Sequence, residues 1–128
     1  MDNTVDERLV KGIEEFNRGL FFECHETLEE IWLEDRGDDR LFYQGIIQIA
    51  AAYFKWEQNV PMGTLKLMRS GLEKLSSYGP VHLGVDLKSF KETVQAQLLK
   101  VEAFTRHGTE PPSLQPPHLT LDTGNGTG

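Results

Sequence analysis

The longest apolar stretch of the chain is LFYQGIIQIAAAYFKW, from Leu41 to Trp56. It is too long for a single strand and too short to cross a bilayer, so it predicts a buried helix. At about 100° per residue, its apolar side chains cover more than half of the helix circumference, and other helices must therefore surround it. Its polar residues Gln44, Gln48 and Lys55 share the narrow strip that remains.

Two amphipathic helices are predicted before this central helix. In the first, which Asn3 or Thr4 can cap, apolar residues recur at intervals of three and four positions. Gly19 ends that helix, because glycine readily adopts the left-handed conformation that follows a last helical turn. The second helix covers residues 21–34 and places most of its apolar side chains on one side.

Two more helices are predicted after the central one. Pro61 indicates a break, since proline favours the first turn of a new helix, and the fourth helix then covers residues 62–77. A connector without regular structure is predicted over residues 81–85. Asp86 is the predicted cap of the fifth helix, and Gly108 is its predicted end.

These five helical patterns predict an all-α fold, because no segment shows a strand pattern of comparable length. The architecture is an antiparallel helical bundle around the central helix, and residues 1–108 are predicted to form a single domain. Residues 109–128 contain four prolines and end in glycine, threonine and asparagine. They therefore predict an extended or disordered tail, whose last six residues are disordered.

The amino-acid composition indicates which classes of binding partner to expect. The chain has 20 acidic and 13 basic residues, a formal net charge of −7, whereas a nucleic-acid surface needs clustered lysine and arginine. No apolar run reaches the roughly 20 residues of a membrane span, and the acidic start does not resemble a signal peptide. The single cysteine, Cys24, excludes an internal disulfide. We therefore expect a cytoplasmic protein with no nucleic-acid or membrane partner.

The candidate functional residues lie on the second and third helices. His25, Glu29 and Trp32 share one helical face because they are spaced by four and three residues. On the central helix, two glutamines in an apolar setting each need a hydrogen-bond partner or a ligand. The candidate polar seam consists of His25, Glu26, Glu29, Trp32, Gln44 and Gln48. The favoured hypothesis is a binding or structural domain in which this polar seam forms a hydrogen-bonded network or lines a ligand pocket.

The alternative hypothesis is a metal-binding protein or metal-dependent hydrolase that uses His25, Glu26 and Glu29. Histidine and carboxylate four residues apart can share a metal ion, as the two histidines of the H-E-x-x-H pattern do. Glu26 would then be the general base, although it projects about 100° away from His25. The further candidate ligands are His82, His107 and His118, and none of them stands at a spacing typical of a metal site. Apart from a divalent metal at His25 and Glu29, no cofactor is predicted.

A third hypothesis is an interaction module that binds a protein partner or forms a homo-oligomer, with its first helix or its tail mediating self-association. Phe21 and Phe22 stand together at the start of the second helix and leave apolar surface that a second copy can cover. No G-x-S-x-G elbow, P-loop, dinucleotide fingerprint or CxxC pair is present. This lowers the expectation of enzymatic activity without excluding it, so the question of an enzyme stays open.

The segment from Phe16 to Tyr78 resembles domain-of-unknown-function family 309, a family of small uncharacterised proteins. The family pattern is A-H-E-x-L-E-x-x-W followed by Q-G-L-I-Q-x-A-A, and Cys24 and Ile46 depart from it. The matching residues are His25, Glu26, Leu28, Glu29, Trp32, Gln44, Gly45, Ile47, Gln48, Ala50 and Ala51, and the resemblance continues through Gly63, Leu67, Gly71 and Leu75. The resemblance implies a helical bundle similar to the small domain that follows the catalytic domain in some hyaluronidases. It implies no reaction, but it makes a polar site that includes Glu26 plausible.

Overall fold

The computed structural model describes residues 5–122, and this part of the chain is mainly helical. Its elements in chain order are α1 (Glu7–Asn17), α2 (Phe21–Glu34), α3 (Arg40–Glu57), α4 (Pro61–Leu75), β1 (Val81–His82), β2 (Val85–Asp86) and α5 (Leu87–His107). The predicted all-α bundle of five helices is confirmed, and α3 extends one residue beyond the predicted central helix at each end. In the described part of the chain, no helix combines the length and hydrophobicity needed to cross a bilayer.

The start of α1 differs from the predicted cap. The N-cap residue is Asp6, whose carboxylate accepts a hydrogen bond from the backbone N–H of Arg8 at 2.9 Å. Asn3 and Thr4, the predicted caps, lie outside the described residues. The Arg8 guanidinium also contacts Asp6 and Glu34 of α2, at 2.9 Å in each case. Arg8 therefore forms ion pairs with the N-cap residue Asp6 and with Glu34, and so links the start of α1 to the end of α2.

The core of the bundle is built around α3, which packs between α2 and α4. Aromatic rings extend the core to α1 and α5. The ring of Phe16 in α1 lies 5.1 Å from Phe21, 6.1 Å from Tyr53 and 5.6 Å from Phe90, in edge-to-face arrangements. Four of the five helices therefore meet at one buried aromatic cluster, which fixes α2 and α3 relative to each other.

Close contact between α3 and α4 depends on two glycines that face each other. A Cβ atom at Gly45 would lie 2.6 Å from Cγ of Leu75, and one at Gly71 would lie 2.7 Å from Cδ1 of Ile49. Both distances are well below a normal van der Waals contact, so the helices can approach this closely only without those side chains. The tight packing of α4 brings its side chains next to α3 on this side of the bundle.

A short β-hairpin occupies the segment that was predicted to be an irregular connector. β1 and β2 pair antiparallel through two residues each. Their turn contains Leu83 and Gly84, with φ of 51° and 79°, as expected for a tight hairpin turn with both central residues left-handed. Strands of two residues are too short to show alternation in a sequence, which is why the pattern did not predict them.

The extended tail is confirmed over residues 109–122, where it packs against the helices. Leu119 is only 2% exposed and belongs to the core. The side-chain amide of Asn17 in α1 donates to the Leu119 carbonyl at 2.9 Å and accepts from its N–H at 2.7 Å. The side chain of Gln97 in α5 donates to the carbonyl of Gln115 at 2.6 Å. The predicted disorder of residues 123–128 lies outside the described residues.

Candidate functional site

A pocket of about 220 Å³ lies between α2 and α3. One part of its wall is polar and the other part is aliphatic. The lining residues are His25, Glu29, Trp32, Gln44, Ile47, Gln48, Ala51 and Leu67. The structure thus brings five of the six polar seam residues together around one cavity, which we call the seam pocket, and α4 adds Leu67.

The spacing of residues along two helices explains why these side chains meet. On α2, positions 25, 29 and 32 follow one another at intervals of four and three and lie on one face. On α3, positions 44 and 48 and positions 47 and 51 are each four residues apart, so these four side chains also lie on one face. The two helices are neighbours joined by the short segment 35–39, so their faces lie opposite each other across the seam pocket.

Three lining residues carry a buried polar atom without a hydrogen-bond partner among residues 5–122. These atoms are Nδ1 of His25, Nε1 of Trp32 and Oε1 of Gln48. Elsewhere in this part of the chain, one further side-chain atom has this property, Oε1 of Glu15. An unpaired buried polar atom costs about 1–3 kcal/mol, and native proteins contain few of them. Their concentration at one pocket therefore requires an explanation specific to that pocket.

The polar seam does not satisfy itself through internal hydrogen bonds. Within the described residues, no hydrogen bond joins His25 to Glu29, and none joins either residue to Gln44 or Gln48. A closed network, the first form of the favoured hypothesis, would have paired these groups with one another. The observed arrangement is instead that of side chains which surround a cavity.

Trp32 is held in place from outside the seam pocket by Arg40. The guanidinium carbon of Arg40 lies 4.1 Å from the centroid of the Trp32 ring, a cation–π contact. Nη1 of Arg40 also donates to the carbonyl oxygens of Trp32 and Asp35, at 2.8 and 2.9 Å. Because Arg40 is not a lining residue, it fixes the orientation of the indole without occupying the cavity.

The histidine of the seam pocket is also supported by an aromatic neighbour. The rings of His25 and Phe22 lie nearly parallel, with centroids 6.4 Å apart and planes at 20°. Phe22 is 47% exposed, whereas Phe21 is 3% exposed and lies in the core. The two phenylalanines of the self-association hypothesis therefore differ: Phe21 is not available to a partner, and Phe22 remains at the surface.

For Glu26 and Leu67, helical periodicity alone does not decide whether the side chain lines the seam pocket. Glu26 is exposed and does not line the seam pocket, because it points about 100° away from His25 on the same helix. The structure therefore does not bring this predicted residue to the site. Leu67 lines the site but was not predicted, since it belongs to α4 and reaches the pocket only through packing of α4 on α3. No local signal in the sequence marks it.

Residues 5–122 contain no group of three histidine, cysteine, aspartate or glutamate side chains that could hold a metal ion. Of the further candidate ligands, His82 pairs with Asp39 at 2.7 Å, and His107 and His118 are exposed. No third ligand from the described residues therefore joins the two predicted on α2. The geometry does not favour the metal-dependent alternative, and a divalent metal at this site stays a prediction.

Cys24, next to His25 in sequence, has the properties of a core residue. It is a free cysteine with no exposed surface. Burial, together with the nearby carboxylate of Glu15, raises the pKa of its thiol to about 12. The thiol therefore stays protonated at neutral pH and does not supply a nucleophile at the seam pocket.

Residues 9–67 match the model of the family described as Domain of unknown function (DUF309). This segment is therefore similar to the DUF309 family. The resemblance inferred from the sequence motifs is thereby confirmed. All eight residues that line the seam pocket lie inside this segment, from His25 to Leu67, so the pocket lies in the part of the chain that matches the family model.

One curated protein has a similar amino-acid sequence. It is the uncharacterized protein YpuF from Bacillus subtilis (strain 168), 30% identical over 90 residues, which are 68% of this chain and 52% of the relative. The chain thus spans about half the length of the curated relative that it matches. Neither the DUF309 description nor the name of YpuF states an activity, so function has to be argued from the seam pocket.

Proposed function

We propose that this protein is a binding domain that accepts a small polar molecule in the seam pocket. The observation that carries the proposal is the set of three unpaired buried atoms on His25, Trp32 and Gln48. Two of these residues come from α2 and one from α3, and all three line the same cavity. A ligand that pairs with the two atoms able to turn towards it, on His25 and Gln48, would explain why the fold tolerates unpaired groups in this place.

The three unpaired groups destabilise the ligand-free protein. At about 1–3 kcal/mol each, the three atoms together cost roughly 3–9 kcal/mol, a large part of a typical domain stability of about 5–15 kcal/mol. Imidazole and amide groups reorient about their last torsion with little strain. His25 and Gln48 can therefore turn these atoms towards a ligand without movement of α2 or α3, and part of the cost is recovered as binding free energy.

The size of the seam pocket limits the ligand. Its volume of about 220 Å³ lies below the range of about 300–1,000 Å³ for pockets that hold drug-sized molecules. With about 30 Å³ for each water in the liquid, the pocket has room for roughly seven to ten non-hydrogen atoms. Ile47, Ala51 and Leu67 offer apolar contact on one side, so the ligand combines polar groups with a short hydrocarbon portion.

Binding is proposed rather than catalysis because His25 and Glu29 are the lining residues that could transfer a proton or act as a nucleophile, and no further reactive group accompanies them. The lining residues include no serine, threonine, cysteine or lysine to act as nucleophile. Glu26, the general base of the hydrolase hypothesis, is exposed and outside the seam pocket. We further propose a cytoplasmic location, which the free and buried Cys24 supports.

The test uses the two tryptophans of the chain, which give two indole N–H signals in a two-dimensional ¹⁵N NMR spectrum. Trp32 lines the seam pocket, whereas Trp56 lies elsewhere and serves as an internal control. The full chain is titrated with a panel of amides, amines, alcohols and carboxylates of up to about ten non-hydrogen atoms. We expect members of the panel to shift the Trp32 indole signal and leave that of Trp56 unchanged.

A pair of variants separates specific binding from general effects. Gln48→Leu removes an unpaired oxygen of the seam pocket and should weaken the binding of panel members that shift Trp32. Gln95→Leu makes the same chemical change at an exposed position of α5 and should leave binding unaltered. The proposal fails if no compound shifts Trp32, or if every compound shifts Trp32 and Trp56 equally.

A further inference from the structure

The unpaired polar atoms of the seam pocket, together with the carboxylate of Glu29, are mostly hydrogen-bond acceptors. Oε1 of Gln48 can only accept, and Nδ1 of a neutral His25 accepts when the ring proton is on Nε2. The carboxylate of Glu29 adds acceptor oxygens, and it forms no hydrogen bond or ion pair with the described residues. Against these, the indole N–H of Trp32 is an unpaired donor. A complementary ligand therefore carries several N–H donors and one acceptor atom.

The charge around the seam pocket is negative. Its lining contains Glu29 and no lysine or arginine. Arg40 contacts the Trp32 ring from outside the lining, and its Nη1 is already used by two backbone carbonyls. A carboxylate in a partly buried cavity without a cationic partner favours a positively charged ligand over a neutral or negative one.

The surrounding surface of α2 adds to this charge. Between Phe21 and Glu34 the helix contains no lysine or arginine. Its exposed glutamates are Glu23, Glu26, Glu30 and Glu34, of which Glu34 is paired with Arg8. The exposed surface of α2 is therefore acidic over the whole length of the helix, which raises the concentration of cations near the helix that forms one side of the seam pocket.

We infer that the ligand of the seam pocket is a small organic cation whose positive group donates N–H bonds, an ammonium, amidinium or guanidinium compound. The inference rests on the proposed function and adds the chemical class of the ligand. The cationic group donates to Glu29, to Oε1 of Gln48 and to Nδ1 of His25. An acceptor atom of the ligand accepts from the side-chain amide of Gln44 or Gln48, and its hydrocarbon part contacts the aliphatic wall.

Three compounds of nearly the same shape test the charge of the ligand. Leucinamide is a cation with an amide oxygen, isocaproamide is the same molecule without the amino group, and isocaproate is the corresponding anion. Each is titrated into the full chain at about pH 7, where most of the α-amino group of leucinamide is protonated. An ionic strength of about 0.15 M screens general attraction to the acidic surface. The readout is the indole signal of Trp32, with Trp56 as control.

We expect leucinamide to bind about five- to tenfold more tightly than isocaproamide, because its ammonium group adds a charge-assisted hydrogen bond that isocaproamide, with a hydrogen at that position, cannot form. Isocaproate should bind most weakly. Glu29→Gln should abolish the preference for leucinamide while isocaproamide still binds. Glu30→Gln removes the same charge from the next residue of α2, which is exposed and outside the seam pocket, and it should keep the preference.

The outcomes separate the two proposals. If isocaproamide binds as tightly as leucinamide, or if Glu29→Gln and Glu30→Gln reduce the preference equally, the inference about charge is wrong and the binding proposal still stands. If none of the three compounds shifts Trp32 and no compound of the wider panel does so, both proposals are wrong. A preference for leucinamide that Glu29→Gln removes and Glu30→Gln retains supports both.

Discussion

Two glutamines of this chain allow a direct test of the unpaired atoms. Gln48 in α3 has a buried oxygen without a partner in the described residues. Gln97 in α5 is fully paired: its oxygen accepts from the hydroxyl of Tyr53 at 2.5 Å, and its nitrogen donates to the carbonyl of Gln115 at 2.6 Å. Replacement of each glutamine by leucine changes side-chain volume little. The two variants should therefore change stability in opposite directions.

The expected magnitudes follow from the pairing of each group. Gln48→Leu removes an unpaired oxygen, so the free energy of unfolding should rise by about 1 kcal/mol. Gln97→Leu leaves the hydroxyl of Tyr53 buried without its acceptor, in a residue only 2% exposed, and should lower that free energy by about 2–3 kcal/mol. For a domain of this size, about 1 kcal/mol corresponds to roughly 4 °C in Tm. Tm should rise by about 4 °C in the first variant and fall by roughly 8–12 °C in the second.

The assay is urea denaturation of the ligand-free protein, followed by far-UV circular dichroism, with thermal unfolding as a second measurement. Gln95→Leu is the matched surface control, and it should stay within about 0.5 kcal/mol of the unmodified chain. A loss of more than about 1 kcal/mol in Gln48→Leu would refute the reasoning, because it would mean that Oε1 of Gln48 has a stabilising partner in the native protein. A gain in stability combined with weaker ligand binding is the pattern expected of a binding site.

Three further predictions concern packing and reactivity. Gly71→Ala should lower the free energy of unfolding by about 1–3 kcal/mol in urea denaturation, because the new Cβ would lie 2.7 Å from Cδ1 of Ile49; an unchanged stability would show that the helices can move apart. Asn17→Ala removes both hydrogen bonds to Leu119, so the tail should be cut faster in limited proteolysis; an unaltered rate would show that other contacts hold it. Cys24 should resist iodoacetamide in the native protein and react in urea, since it has no exposed surface and the pKa of its thiol is raised to about 12; rapid native labelling would contradict this burial.

Sequence reasoning succeeded where the property depends on residues close together in the chain. The helix ends at Gly19 and Gly108 have positive φ, 78° and 64°, because the left-handed conformation is a local property of glycine. The capping role of Asp86 is likewise confirmed, since its carboxylate accepts from the N–H of Ser89 three residues later. The period of an α-helix also places His25 and Trp32 on one face before any tertiary contact is known.

Other features depend on residues that are distant in the chain. The tail joins the core through Leu119, whose partner Asn17 lies about a hundred residues earlier. Leu67 enters the seam pocket because α4 packs closely on α3, and Arg40 fixes Trp32 through a contact across the α2–α3 turn. Neither contact has a signature in local composition, because side-chain direction between helices is set by packing and not by periodicity.

The amino-acid sequence by itself therefore determined the helical class, the extended tail, the family resemblance and which polar residues share a helical face, since each follows from local periodicity or motif. Only the tertiary structure decided that Glu26 stays outside the seam pocket and that the polar residues surround a cavity. It also decided which polar atoms remain unpaired, among them Nδ1 of His25 and Oε1 of Gln48. The physical reason is that hydrogen bonding requires alignment within a few tenths of an ångström, which is fixed only when neighbouring helices are packed.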